Sequence, residues 1–249
     1  MARMKFMNTE IDNLTMEEAL DAMDGLIKQK KSAYVLTPNV DHLVQLERGG
    51  PLCDVYKEAD LIVADGKPLI WISQWYGTPI KEKISGSDLF PRLCEVAAQN
   101  GYTMFFLGAM EGVAAKAAEN LKARFPGLKV AGTYSPPYGF EKDEAELAKI
   151  GDMIHAAAPD ILIVGLGCPK QELFIYNNRK ELGVPLSLGL GASLDFEAGN
   201  IKRAPAWMSN HGLEWLFRIT QDPKRLAKRY LIDDMKILGM ALKYKKTQR

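Results

Sequence analysis

No stretch of this sequence stays apolar for the roughly 18 residues that a membrane-spanning helix needs. The opening MARMKFMNTEID has no apolar core of the kind a secretory signal carries, so the expectation is a soluble or peripheral protein without a signal peptide. Cysteine is scarce: Cys53, Cys94 and Cys168 are odd in number and lack C-x-x-C or metal-ligand spacing, which excludes a disulfide scaffold and reads as reduced, packed thiols. Histidine is equally scarce, and His42, His155 and His211 are too scattered for a metal site, so each reads as a surface or helix-capping residue. There is no G-x-x-x-x-G-K-[ST], which excludes a P-loop. No D-x-D stands at a strand end, which weighs against an enzyme holding a diphosphate through a divalent ion. Net charge is only +1, so charge alone gives no reason to expect nucleic acid.

The charge is unevenly spread. Residues 205–249 hold ten Lys/Arg against four Asp/Glu, so the first 204 residues are net acidic. The pattern up to Gly191 is a β-α alternation: short apolar runs such as Ala33–Leu36, Tyr102–Leu107 and Ile161–Gly165 are separated by helical segments of 10–15 residues. That spacing argues an α/β fold, Rossmann-like, with a mostly parallel sheet of about six strands and right-handed crossovers. Residues 192–212 read as a long irregular passage. Leu213–Tyr244 then reads as helix broken at Asp222-Pro223, with Leu231, Met235, Leu238 and Leu242 on one apolar stripe among lysines and arginines. We therefore divide the chain into a core, 1–204, and a basic amphipathic appendage, 205–249. The stripe suits either an anionic membrane surface or packing on the same chain or a second copy.

Within the core, LIVADGKP (Leu61–Pro68) reads as a buried strand delivering Asp65 to a sheet rim, next to a turn glycine and a helix start. Ligands of open α/β sheets bind beyond such strand ends, which makes Asp65 the candidate catalytic carboxylate. A second strand end, Thr37-Pro38-Asn39, is its expected neighbour, and Asn39 either binds a ligand or caps the following helix. GLGCPKQE (Gly165–Glu172) is a glycine turn into a helix, suited to an anion. It and GLGASL (Gly189–Leu194) lack the third glycine of a dinucleotide fingerprint, so an NAD(P)-dependent oxidoreductase is a remote reading. Gln171 either faces a ligand or is a polar side chain turned to solvent. Arg218, Arg225 and Lys228 could meet a phosphate or form a solvated helix face.

Taken together, TPNVDHL (37–43), VADGKP (63–68), SGSDL (85–89), GLGCPKQE (165–172), GLGASLDFEAG (189–199), RAPAW (203–207) and GLEWLFRITQDPKRLAKRYL (212–231) resemble the WecG/TagA/CpsF family of bacterial glycosyltransferases. The matches run in order along almost the whole chain. The resemblance implies an inverting enzyme needing no metal or cofactor. It would move N-acetylmannosamine from its UDP-sugar to GlcNAc carried on undecaprenyl diphosphate, in the synthesis of wall teichoic acid or related surface polysaccharide. Other UDP-hexoses, UDP-ManNAcA or UDP-glucose, are alternative donors, and a non-catalytic membrane-binding module is a remote one. The resemblance implies a peripheral enzyme on the cytoplasmic face of the plasma membrane, with no nucleic-acid partner and with self-association allowed.

Carried over by motif, Asp65 matches the family's proposed general base and Thr37, Asn39 and Gln171 its pocket residues. Arg218 and Arg225 match arginines thought to reach the diphosphate. Lys83 and Lys228 stand where arginine is usual, keeping charge but losing the bidentate fork. Asp195, outside that correspondence, is our candidate uridine contact. A carboxylate at its ordinary pKa of about 3.9 would already be ionised at neutral pH, and that is the expectation for Asp65.

Overall fold

The computed structural model describes residues 3–246. Its strands are β1 (Arg3–Phe6), β2 (Thr9–Asp12), β3 (Ala33–Leu36), β4 (Leu61–Ile62), β5 (Thr103–Gly108), β6 (Lys129–Tyr134), β7 (Ile161–Gly165) and β8 (Leu186–Gly189). β1 and β2 form an antiparallel hairpin, and the others form a six-stranded sheet in the order β4-β3-β8-β7-β5-β6. The expected α/β architecture is therefore what forms. The chain divides into two compact units, one of residues 17–36 and 86–201, the other, within the described range, of 3–16, 37–85 and 202–246.

The larger unit carries five parallel strands. β3 aligns on β8 from Ala33 opposite Leu186, β7 on β8 from Ile161 opposite Leu186, and β5 on β7 from Met104 opposite Ile161. The central strands are buried along nearly their whole length, the reason they read as unbroken apolar runs rather than alternating ones. β6 is the exposed edge, and its register on β5 slips between Met104 and Phe105. There the Phe105 ring covers Gly132 so closely that a Cβ on residue 132 would stand 2.5 Å from it.

Helix starts follow local chemistry. Asp143 accepts from the backbone N–H groups of Ala145 and Glu146 to cap Glu144–Ala157. The helix Gly86–Asn100 takes Ser87 and Asp88 into its first turn. The passage 192–212 is less irregular than its two glycines and its proline suggest, since Ser193–Ala198 and Ala206–Asn210 are short helices. Leu52–Lys57 is a third. Helices this short carry too little periodicity to register in a sequence.

In the smaller unit, buried Asp12 organises the hairpin. It takes two bonds from the Arg3 guanidinium, at 3.1 and 3.0 Å, and one from the backbone N–H of Ile62 at 2.8 Å, which ties β2 to β4. Residues from Leu213 onward fold as the helices Glu214–Gln221, Pro223–Lys228 and Lys236–Lys245, with a π-helical turn at Arg229–Asp233. The break at Asp222-Pro223 is the expected one. Leu226, Ile237, Met240 and Ala241 are the buried side of this segment. Tyr76 donates to the Ala241 carbonyl at 2.8 Å, and Lys243 and Tyr244 both donate to Glu47. Leu231, Met235, Leu238 and Leu242 point the other way and are each more than half exposed. The stripe is thus not the face that packs on its own chain.

Candidate active site

The LIVADG run does not continue as a strand to its acid. Ladder geometry ends at Ile62, and Asp65 stands three residues beyond it. Its neighbour on one side is Thr37-Pro38-Asn39, where Pro38 has no N–H to extend a ladder. The backbone is held all the same: Asp65 N–H donates to Pro38 O at 2.8 Å, and Ala64 O accepts from Ile84 N–H at 2.8 Å. The two segments expected to be neighbours are neighbours. Gly66 follows at φ +108, a conformation that L side chains rarely adopt, and turns the chain directly into the helix Lys67–Tyr76 with Pro68 in its first turn. Asp65 is therefore fixed through its own backbone, between a strand end and a helix start.

Its electrostatic setting corrects the expectation of an unperturbed acid. Asp65 is half-buried, and protein atoms crowd its carboxyl enough for desolvation to dominate, pushing its pKa up to about 6. Lys83, Arg218 and His42 each draw it down, while Glu214 pushes it up. Two of the cations named from sequence, Lys83 and Arg218, thus act on the same carboxylate although 135 positions apart in the chain. Lys83 also donates to Ser85 Oγ at 3.4 Å.

Asn39 is a helix cap. Its Oδ1 accepts from the backbone N–H of Asp41 at 3.1 Å, and His42 completes the box with Nδ1 3.3 Å from Asn39 N and 2.9 Å from its Oδ1. Nδ1 can accept from the amide only when unprotonated and donate to Oδ1 only when protonated, so the ring holds one of these bonds at a time. Thr37 is buried two residues earlier.

The arginine that reaches this box is Arg229, at the start of the π-helical turn. Its Nη2 donates to Asn39 Oδ1 at 3.4 Å and lies 3.5 Å from Asp41, while its Nε is 3.8 Å from Asp234. Asp234 is buried, and desolvation raises its pKa to about 6 against the pull of Arg229. Lys228 is exposed at the end of its helix. Arg225 belongs to the same helix, and its side chain lies outside the described residues.

In the larger unit, Gln171 is buried rather than a surface polar residue. Its Oε1 accepts from the backbone N–H groups of Gly167 at 3.1 Å and Gly191 at 2.9 Å, and its Nε2 donates to Glu172 at 2.7 Å. It clasps together the two glycine turns that resembled dinucleotide loops. Gly189 has to be glycine for the same reason, since a Cβ there would stand 2.9 Å from Gln171 Cγ. Asp195 is half-buried in the helix Ser193–Ala198.

His42, read as a surface or helix-capping residue, is a buried capping residue. Sequence reasoning missed three residues, Glu214, Arg229 and Asp234, which read as ordinary charges on charged helices.

Residues 4–249 match the model of the Glycosyl transferase WecG/TagA/CpsF family. The chain belongs to that family. It is 37% identical over 199 residues to the N-acetylglucosaminyldiphosphoundecaprenol N-acetyl-beta-D-mannosaminyltransferase of Bacillus spizizenii, covering 80% of this chain and 75% of the relative. The protein of the same name from Bacillus subtilis is 34% identical over the same shares. Among the described residues of this family member, no helix is long and apolar enough to cross a membrane.

Proposed function

We propose that this glycosyltransferase transfers N-acetylmannosamine from its UDP-sugar to GlcNAc on undecaprenyl diphosphate, an early step in building wall teichoic acid or a related surface polymer. The observation that carries the reading is the crowded Asp65 carboxylate acted on by Lys83 and Arg218 together. In an inverting displacement the acceptor hydroxyl oxygen attacks the anomeric carbon, its bond to the UDP oxygen breaks, and the hydroxyl proton goes to a base. Asp65 is that base. A pKa of about 6 leaves it mostly ionised at neutral pH yet nearer the working pH than an ordinary aspartate, which makes it a better proton acceptor.

The departing diphosphate needs positive charge. Lys83, Arg218, Arg225 and Lys228 supply it, so the reading assigns no metal to that role. Thr37 and Asn39 line the region beside the base, Gln171 shapes the glycine turns, and Asp195 is the uridine contact. The appendage holds the enzyme to the inner face of the membrane that carries the acceptor lipid.

The test is UDP release in EDTA, with a panel of UDP-N-acetylmannosamine, UDP-ManNAcA and UDP-glucose and a short-chain GlcNAc-diphosphate lipid. Release with the first donor alone, lost in Asp65→Ala and reduced about 10²-fold in Arg218→Ala, is the expected result. Full turnover in Asp65→Ala would reject the base.

A further inference from the structure

The exposed stripe of the last helix does not end on that helix. Leu238, Leu242 and Lys245 follow one another at i, i+4 and i+7 on a single face, and Lys245 Nζ is 3.7 Å from the centre of the Trp75 ring. Trp75 and Trp71 are four residues apart on the helix Lys67–Tyr76, and they are 44% and 51% exposed. The apolar surface therefore runs from Leu231, Ile232 and Met235 through Leu238 and Leu242, across a lysine–indole contact, onto two tryptophans of a second helix. Tyr76 fastens the join by donating to Ala241 O, and Trp71 is held in turn by Gly212, ahead of the helix Glu214–Gln221, where a Cβ would stand 2.4 Å from the ring.

A contiguous exposed face of this kind marks an interaction surface. An isologous contact with a second copy would set the patch against itself, gathering Lys236, Lys245 and Lys246 of both copies into one interface, and like charges so gathered oppose association. An anionic bilayer instead complements them. Indole rings favour the headgroup layer, where the apolar body is buried and the N–H stays wet, and flanking lysines gain from the surface potential.

We propose that the helix Lys67–Tyr76 is a second membrane-seating element, with Trp71 and Trp75 entering the headgroup layer of an anionic bilayer beside the stripe of the last helix. It rests on the reading above, in which the acceptor is lipid-borne. Because that helix begins two residues after Asp65, membrane contact is joined directly to the turn that holds the base.

The test uses the full chain with vesicles of phosphatidylglycerol and phosphatidylcholine, with and without brominated acyl chains. Binding to anionic vesicles is expected, with tryptophan fluorescence quenched by bromine. Trp71→Phe/Trp75→Phe should lose most of that quenching although Trp207 and Trp215 remain, and Trp75→Ala should bind at least about fivefold more weakly. Equal quenching and equal binding in these variants would overturn the inference while leaving the stripe as the anchor. Absence of vesicle binding in the wild type would overturn it too, and UDP release with a water-soluble acceptor then tells whether the transfer reaction itself survives. A concentration-dependent dimer that shields the indoles from acrylamide, and that Trp75→Glu dissolves, would assign the face to a second copy instead.

Discussion

Arg229 donates to the side-chain oxygen of Asn39, 190 positions away in sequence, and holds Asp41 and Asp234 with the same guanidinium. One arginine thus fastens the π-helical turn to the cap of the helix Val40–Glu47, which follows the loop carrying Thr37 and Asn39. Arg229→Ala would leave buried Asp234 without that cation, at a cost of about 2 kcal/mol at pH 8. The cost should shrink toward pH 5, because Asp234, with its pKa already near 6, then takes up a proton and needs no partner. Chemical denaturation at the two pH values measures this. Arg229→Lys should recover part of the loss but not the forked geometry. An equal loss at both pH values would show that the arginine acts by packing alone.

With Asp65 as the proposed base, its neighbours should set the pH at which transfer switches on. A base must be unprotonated, so turnover should rise with pH through about 6 and level off above it. Removing a negative neighbour makes the carboxylate easier to form, so Glu214→Gln should move the midpoint to lower pH. Removing a positive one does the reverse, and Lys83→Met should move it higher while slowing the plateau rate. Rate profiles between pH 4.5 and 8.5 decide the matter. A midpoint that both variants leave in place would exclude Asp65 as the titrating group.

The alternation of apolar runs and helical segments was enough to read the parallel sheet, because central strands buried on both faces read as short, nearly continuous apolar runs. The pairing of the Asp65 and Asn39 loops was also legible, since both follow strand ends. The shortened β4 was not, because its end is set by a proline, Pro38, in the neighbouring segment rather than by its own residues. The raised pKa of Asp65 was hidden for a similar reason. It comes from the density of packing and from Glu214, which lies 149 positions later, and desolvation leaves no mark on a sequence. The clasp of Arg229 and Asp234 reads along the chain as two more charges on an amphipathic helix. Which of them is buried is decided only by what packs against it.

Gln171 tests how far the glycine turns depend on one side chain. Its oxygen accepts two backbone N–H groups, those of Gly167 and Gly191, from segments 24 residues apart. Gln171→Ala leaves both donors without that acceptor, and a buried unsatisfied group costs on the order of 1–3 kcal/mol. A melting temperature several degrees lower is expected, with UDP affinity falling as the turns loosen. Gln171→Glu keeps the acceptor but places a second carboxylate beside Glu172, so it should restore the turns only at low pH. A Gln171→Ala variant with unchanged melting would mean that water takes over both bonds.

Asp65→Asn should separate stability from catalysis. In the folded protein the aspartate holds its proton up to about pH 6, whereas in the unfolded chain it loses it near 3.9. The folded state therefore binds the extra proton across that interval, and stability contributed by the neutral acid is present below pH 4 and lost as pH climbs through 6. Asparagine is uncharged throughout and avoids the loss. The variant should be more stable than the wild type at pH 8, by at most about 3 kcal/mol for a shift of this size, and no more stable at pH 4. At the same time transfer should fall by 10²–10⁴-fold, the usual contribution of a positioned base. Urea unfolding at both pH values, paired with UDP release at pH 8, makes the comparison. A variant that loses activity and stability together would point to a structural aspartate, because a base strained by burial has to show the two moving in opposite directions.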